Sequence, residues 1–260
     1  QIGIGSSSFV TSPTPMKITN ETIVQISAGI DFSLVLDSKG HVWSSGQNGK
    51  GQLGIGDLST KRIPVRALVE DIVKISAGGK HAFFFNKQGI PLSCGDNEVG
   101  QLAVRALSMR SIPSSIIMDE EMANQELVKI SSGFSYTLFL DAKGNVYGSG
   151  SNFYGQLGIN IFERSVFTPK RTITRGGAHI VDIAAGEYHS LLLDTEGLLY
   201  GMGYRSNLGL DDSKKKEIDY PTFLPVNQLY SREKRPKQFK MEKAYTAILD
   251  TEGKVYMLGE

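Results

Sequence analysis

One block of text recurs along this 260-residue chain, and that recurrence restricts the possible folds more than any other feature. Residues 23–56 read IVQISAGIDFSLVLDSKGHVWSSGQNGKGQLGIG. Gly29, Gly40 and Gly46 return as Gly78, Gly89 and Gly95, then as Gly133, Gly144 and Gly150, then as Gly186, Gly197 and Gly203. The gaps of eleven and six residues are the same each time, and Gly253 and Gly259 keep the second gap. Gln52, Gln101 and Gln156 each follow the third glycine by six residues. Between the glycines lie short runs rich in Val, Ile, Leu, Phe and Tyr, bounded by Asp, Ser, Asn and Gly, which is the pattern of short strands joined by tight turns. Each copy offers three or four strands over about 50 residues and no helical periodicity. One such sheet cannot bury both faces, whereas sheets packed in succession around an axis can, so the expected fold is an all-β propeller of four-stranded antiparallel blades.

The repeats are read as the tail of a preceding unit at 1–22, then 23–71, 72–126, 127–179, 180–236 and a partial 237–260, all in one propeller domain or part of one. The second copy departs most: Ala103 replaces a turn glycine and Pro91 interrupts the third strand. An acidic, helix-prone insertion follows at 119–126. The last strand of the first copy is expected after Pro64, and the fifth copy is expected to keep only its middle, 244–259. Both ends fall inside a repeat, and the expectation is a longer protein.

Charge is nearly balanced, 28 basic against 27 acidic residues, so no global field favours nucleic acid or a membrane surface. No apolar run approaches a membrane span, and membrane insertion is not expected. The single cysteine, Cys94, forbids an internal disulfide and fits an intracellular setting, cytoplasmic or nuclear.

The full motif is an apolar strand ending in Ser/Ala-Gly, a short turn, His or an aromatic, a strand ending Asp-x-x-Gly, then Val-Tyr/Trp-x-x-Gly and Gly-Gln-Leu-Gly. It resembles the regulator of chromosome condensation repeat. The resemblance covers nearly the whole chain. It implies the seven-bladed propeller of that family, here as about five repeats, with a complete five-bladed ring as the alternative. The position three after the first glycine, often His in the family, is Phe32, His81, Tyr136, His189 and Tyr245 here.

No residue set points to chemistry. His81 and His189 share a repeat position with Phe and Tyr, which assigns them to structure, bonded to backbone within their blades. The four histidines lack metal-ligand spacing, and no metal is expected. Gly-rich stretches such as 46–50 neither continue as a phosphate loop nor lead into a helix, so no nucleotide cofactor is expected. Asp37, Asp141, Asp194 and Asp250 recur before a hairpin turn, where Asp bonds local backbone. No catalytic residue is assigned.

What varies is surface. Asp31, Lys80, Ser135 and Tyr188 occupy one turn position and differ in every copy. A fixed scaffold with variable turns makes a binding face, so Asp31, Lys80 and Tyr188 are candidate partner-binding residues. The polar segment 211–243 adds Lys214, Lys215, Lys216, Arg232, Lys234 and Arg235 as candidates for an acidic partner. The expected function is a non-catalytic protein–protein interaction scaffold whose partner is a protein, a small GTPase or a cytoskeletal protein being the candidates. The resemblance supplies an alternative, a guanine-nucleotide exchange factor for a Ran-type GTPase, to which Asp31 is suited and Lys80 is not. A second alternative is an architectural subunit of a cytoskeletal or ciliary assembly.

Overall fold

A computed structural model describes residues 3–5, 12–16, 18–159, 163–174, 178–209, 217–223, 235–241 and 244–259. The chain folds as five successive antiparallel blades of the propeller type. The first holds β1 (Ile23–Ala28), β2 (Phe32–Asp37), β3 (Val42–Gly46) and β4 (Lys61–Arg66) in sequence order. The second holds β5 (Ile72–Ala77), β6 (His81–Asn86), β7 (Pro91–Gly95) and β8 (Arg110–Ser115). The third holds β9 (Leu127–Ser132), β10 (Tyr136–Asp141), β11 (Val146–Ser151) and β12 (Ser165–Arg171). The fourth holds β13 (Ile180–Ala185), β14 (His189–Asp194), β15 (Leu199–Tyr204) and β16 (Glu217–Phe223). The fifth has three described strands, β17 (Pro236–Met241), β18 (Tyr245–Asp250) and β19 (Val255–Gly259). One short helix, α1 (Glu120–Ala123), lies in the acidic insertion, with Asp119 accepting a bond from the Met122 amide at its start.

The chain divides into two compact units. The first contains blades one and two, residues 1–98 with 106–116, and the second contains blades three to five, residues 99–105 with 117–260. In each, apolar layers pair strands two and three of one blade with strands one and two of the next. In the first unit, Leu34, Leu36 and Val42 meet Ile72, Ile75 and Phe84. In the second, Leu138, Val146 and Leu157 meet Ile183, Leu192 and Met202, and Leu191 and Leu199 meet Phe239 and Ile248. Burial therefore depends on the neighbouring blade. Ile75 is 5% exposed under the preceding blade, whereas Ile26 at the same repeat position is 75% exposed. Side chains also cross to the next blade's first strand and satisfy its edge. Gln25 exchanges two bonds with the Ile75 backbone, and Ser27 and Ser131 accept from the Ala77 and Ala185 amides.

The hairpin between strands two and three shows why Asp recurs. Asp194 Oδ1 accepts from the Glu196 and Leu198 amides, and Oδ2 accepts from the Tyr200 hydroxyl. Asp250 repeats this with Tyr256, and Asp37 repeats it with Trp43 Nε1. Burial opposes the charge on Asp37, and bonds from Trp43, His41 and Lys39 more than offset it, so its carboxyl titrates below its ordinary range. In the second blade Asn86 takes the same two amides, and Leu92 replaces the aromatic donor.

Three expectations need correction. The last strand of the first copy runs through Pro64 rather than after it, since Pro64 lies inside β4, as Pro113 lies inside β8 and Pro169 inside β12. An outermost strand has one side without ladder partners, so a missing N–H there is tolerated. Pro91 opens β7 instead of interrupting it. The fifth copy keeps more than its middle, 244–259, because the polar segment 211–243 contains β17 as well as β16, and Phe239 fills the place of Ile75 and Ile183.

Candidate functional site

At the end of each blade opposite the Asp hairpin, the turn between strands one and two meets the start of the connection between strands three and four. The amides of Gln47, Asp96, Ser151 and Tyr204 donate to the carbonyls of Asp31, Lys80, Ser135 and Tyr188, at 2.8, 2.9, 2.9 and 2.9 Å. The third glycine enforces this closeness. Gly203 has φ +103°, and a Cβ there would lie 2.3 Å from the Tyr188 carbonyl oxygen.

The connection that follows is held from inside. Asn48 and Asn152 are buried, and their side-chain oxygens accept from the Leu53 and Leu157 amides, both at 3.0 Å. Gln52, Gln101 and Gln156 accept from the amides of Lys50, Val99 and Tyr154 at 3.0, 3.1 and 3.0 Å. The recurring glutamine is thus a clamp on a backbone whose side chains are free to differ. Sequence reading marked the glutamines but not the asparagines, although Asn48, Asn97 and Asn152 recur at a fixed place after the third glycine.

The side chains on this framework differ between the units. In the first, Asp31 and Lys80 are exposed, and Lys50 pairs with Asp96 at 3.4 Å and with Glu98. In the second, Ser135 and Ser151 stand at two of the corresponding positions and aromatic rings at the others. Tyr154 packs against Tyr188 with centroids 5.0 Å apart and against Tyr204 at 5.4 Å, and Phe134 lies 6.3 Å from Tyr188. Partial burial and the neighbouring Glu187 carboxylate push the Tyr188 hydroxyl up to about 12. Phe134 and Phe153 are 37% and 51% exposed, and the Arg164 guanidinium sits 5.6 Å from the Phe153 ring centroid. Only Tyr188 of this group was singled out from the sequence. The signal for the rest was available: Phe134, Tyr154 and Tyr204 stand where other copies carry Ile30, Lys50 and Gln47.

Asp31 and Lys80 share the first unit, and Tyr188 belongs to the second. Arg235 is exposed just before β17, and its backbone amide donates to Thr251. Lys214, Lys215, Lys216, Arg232 and Lys234 lie outside the described residues.

His189 differs from expectation in its partners. It is buried, and its ring nitrogens meet Thr246 Oγ1 of the next blade and Asn207 Nδ2, both at 3.3 Å, instead of backbone within its blade. Burial lowers its pKa to about 4, so it is neutral near pH 7. Tyr136, at the same repeat position, reaches the next blade too, donating to the His189 carbonyl at 2.5 Å and accepting from the Gly186 amide. Burial also pushes the Cys94 thiol up. Among the described residues, no group of three or more His, Cys, Asp or Glu side chains could hold a metal ion. No helix among them is long and apolar enough to cross a membrane.

The family model for the RCC1-like domain matches residues 1–260. Among curated proteins, the chain is similar to the probable E3 ubiquitin-protein ligase HERC3 of Homo sapiens, 28% identical over 142 residues, covering 54% of this chain and 13% of that protein. It therefore spans far less than the full length of such relatives. Among solved structures, human WBSCR16 superposes with a TM-score of 0.82 at 22% identity, covering 91% of this chain and 61% of that one. Prp20p from Saccharomyces cerevisiae, a protein described with its binding to Gsp1p and histones, superposes with a TM-score of 0.78 at 20% identity. That match covers 94% of this chain and 57% of Prp20p. At these identities, the two structures establish likeness of fold.

Proposed function

We propose that this chain, which belongs to the RCC1-like domain family, is a protein–protein interaction scaffold with no chemistry of its own. Its partner surfaces are the blade ends that carry Asp31 and Lys80 in the first unit and Tyr188 in the second. The observation that supports this reading is one backbone framework, clamped by the same amide bonds in successive blades, that displays side chains which never repeat. Histidine, aspartate and glycine, which most often suggest chemistry, are used here for hydrogen bonds and turns. An intracellular setting belongs to the proposal, since the single cysteine is buried and needs no oxidant.

Nucleotide exchange on a small GTPase is the second reading. It is favoured by the fold shared with Prp20p, a Gsp1p-binding protein, and by the exposed carboxylate of Asp31. Release of labelled nucleotide from Ran-type GTPases, measured with and without the full-length protein, separates the two. The scaffold reading predicts unchanged release. Acceleration that Asp31→Ala abolishes would replace it by the exchange reading. The basic residues Lys214, Lys215, Lys216, Arg232, Lys234 and Arg235 are proposed as a second contact for an acidic partner, to be judged by salt dependence.

A further inference from the structure

We propose that the aromatic cluster of blades three and four is a docking site for an arginine-bearing segment of a partner protein; this rests on the scaffold reading above. The fold does not require rings at these positions. Where Tyr188 stands, other blades carry Asp31, Lys80 and Ser135, and where Tyr154 stands they carry Lys50 and Val99, on backbones held by the same bonds. Two turns, a connection and the end of β15 nevertheless bring four residues together. Phe134, Tyr154, Tyr188 and Tyr204 form one continuous set of ring contacts with centroids 5.0 to 6.3 Å apart, and Phe134 is 37% exposed.

Two features select the ligand. The Glu187 carboxylate lies against the Tyr188 hydroxyl and supplies a negative charge beside the rings. Arg164 already places its guanidinium 5.6 Å from the centroid of Phe153, the residue before Tyr154, so a ring of this connection already receives such a group. A planar guanidinium stacks on an aromatic face while its N–H donors reach a carboxylate, which an ammonium does less well. Arg164 over Phe153, and Arg205 next to Tyr204 in the chain, make an acidic segment the direct competitor.

The test is fluorescence anisotropy of the full-length protein with labelled short peptides of alternating glycine and arginine, glycine and lysine, or glycine and glutamate. Tighter binding of the arginine peptide than of the other two is expected. Tyr188→Ser and Tyr154→Val should each weaken it about two- to thirtyfold, the span of one cation–π contact, and Glu187→Gln should weaken it as well. Both tyrosine replacements install what another blade already carries at that position, so the scaffold survives them. Lys143→Ser, in the opposite hairpin, should leave the affinity unchanged. No binding at millimolar peptide, a preference for the glutamate peptide, or wild-type affinity in both tyrosine variants would overturn the assignment. If a protein partner still contacts this blade end after such a result, only the arginine chemistry falls, and the scaffold reading stands.

Discussion

Replacing Asp194 tests how the blades are held. Its carboxylate accepts three bonds at 2.8 to 2.9 Å, two from the turn amides of Glu196 and Leu198 and one from Tyr200. Each bond to a charged acceptor contributes about 1.5–3 kcal/mol net, and water can reach part of a surface turn and restore some of that. Asp194→Ala should therefore cost about 3 kcal/mol, below the simple sum. Asp194→Asn keeps an oxygen for the two amides, as Asn86 does in blade two, and should cost about 1 kcal/mol. Tyr200→Phe removes only the hydroxyl and should also cost about 1 kcal/mol. Asp194→Asn and Tyr200→Phe weaken the same bond, so the double variant should lose less than the sum of the two. Urea denaturation of the four variants gives these differences directly. Equal losses for Ala and Asn would show that the two amide bonds do not hold the turn, and strict additivity in the pair would show that the Asp–Tyr bond does not.

Three further outcomes follow from particular positions. Gly144 has φ +79°, and a Cβ there would meet the Ile180 nitrogen and the His179 ring at 2.8 Å, so Gly144→Val should destabilise by about 1–3 kcal/mol in thermal melts. His189 has a folded pKa of about 4 against 6.5 for the free group, so the unfolded chain takes up the proton first. Its contribution is complete above pH 6.5 and is lost as pH falls towards 4, about 2 kcal/mol of it by pH 5, and His189→Gln should remove that part of the pH dependence. Replacing Lys214, Lys215, Lys216, Arg232, Lys234 and Arg235 by Ser should weaken an acidic partner and flatten the salt dependence of its binding; identical curves would remove this segment from the interface.

Much of the fold was legible because repetition multiplies weak signals. A single Asp-x-x-Gly turn says little, but Gly40, Gly89, Gly144 and Gly197, all at φ near +80°, mark the same hairpin in four blades. The outer strands were less legible, since Pro64, Pro113 and Pro169 read locally as breaks, and only their edge position makes them acceptable. β17 was hidden because its exposed residues are Lys and Gln, leaving Phe239 to carry the pattern. Burial was not readable from the repeat, as Ile26 and Ile75 show, because it belongs to the adjoining blade. At the candidate site, the sequence showed that the turn residues vary. It could not show that Phe134, Tyr154, Tyr188 and Tyr204 meet, since two turns, a connection and the end of β15 bring them together.

The central claim is that a protein partner is met at the blade end bearing the variable turns. A photo-crosslinking side chain placed at Ser135, on that end, and separately at Lys143, in the opposite hairpin, of the full-length protein tests it inside the cell. The account predicts a defined protein adduct from position 135 that Tyr188→Ser diminishes, and none from position 143. The same adduct from both positions, or one from position 143 alone, would contradict it.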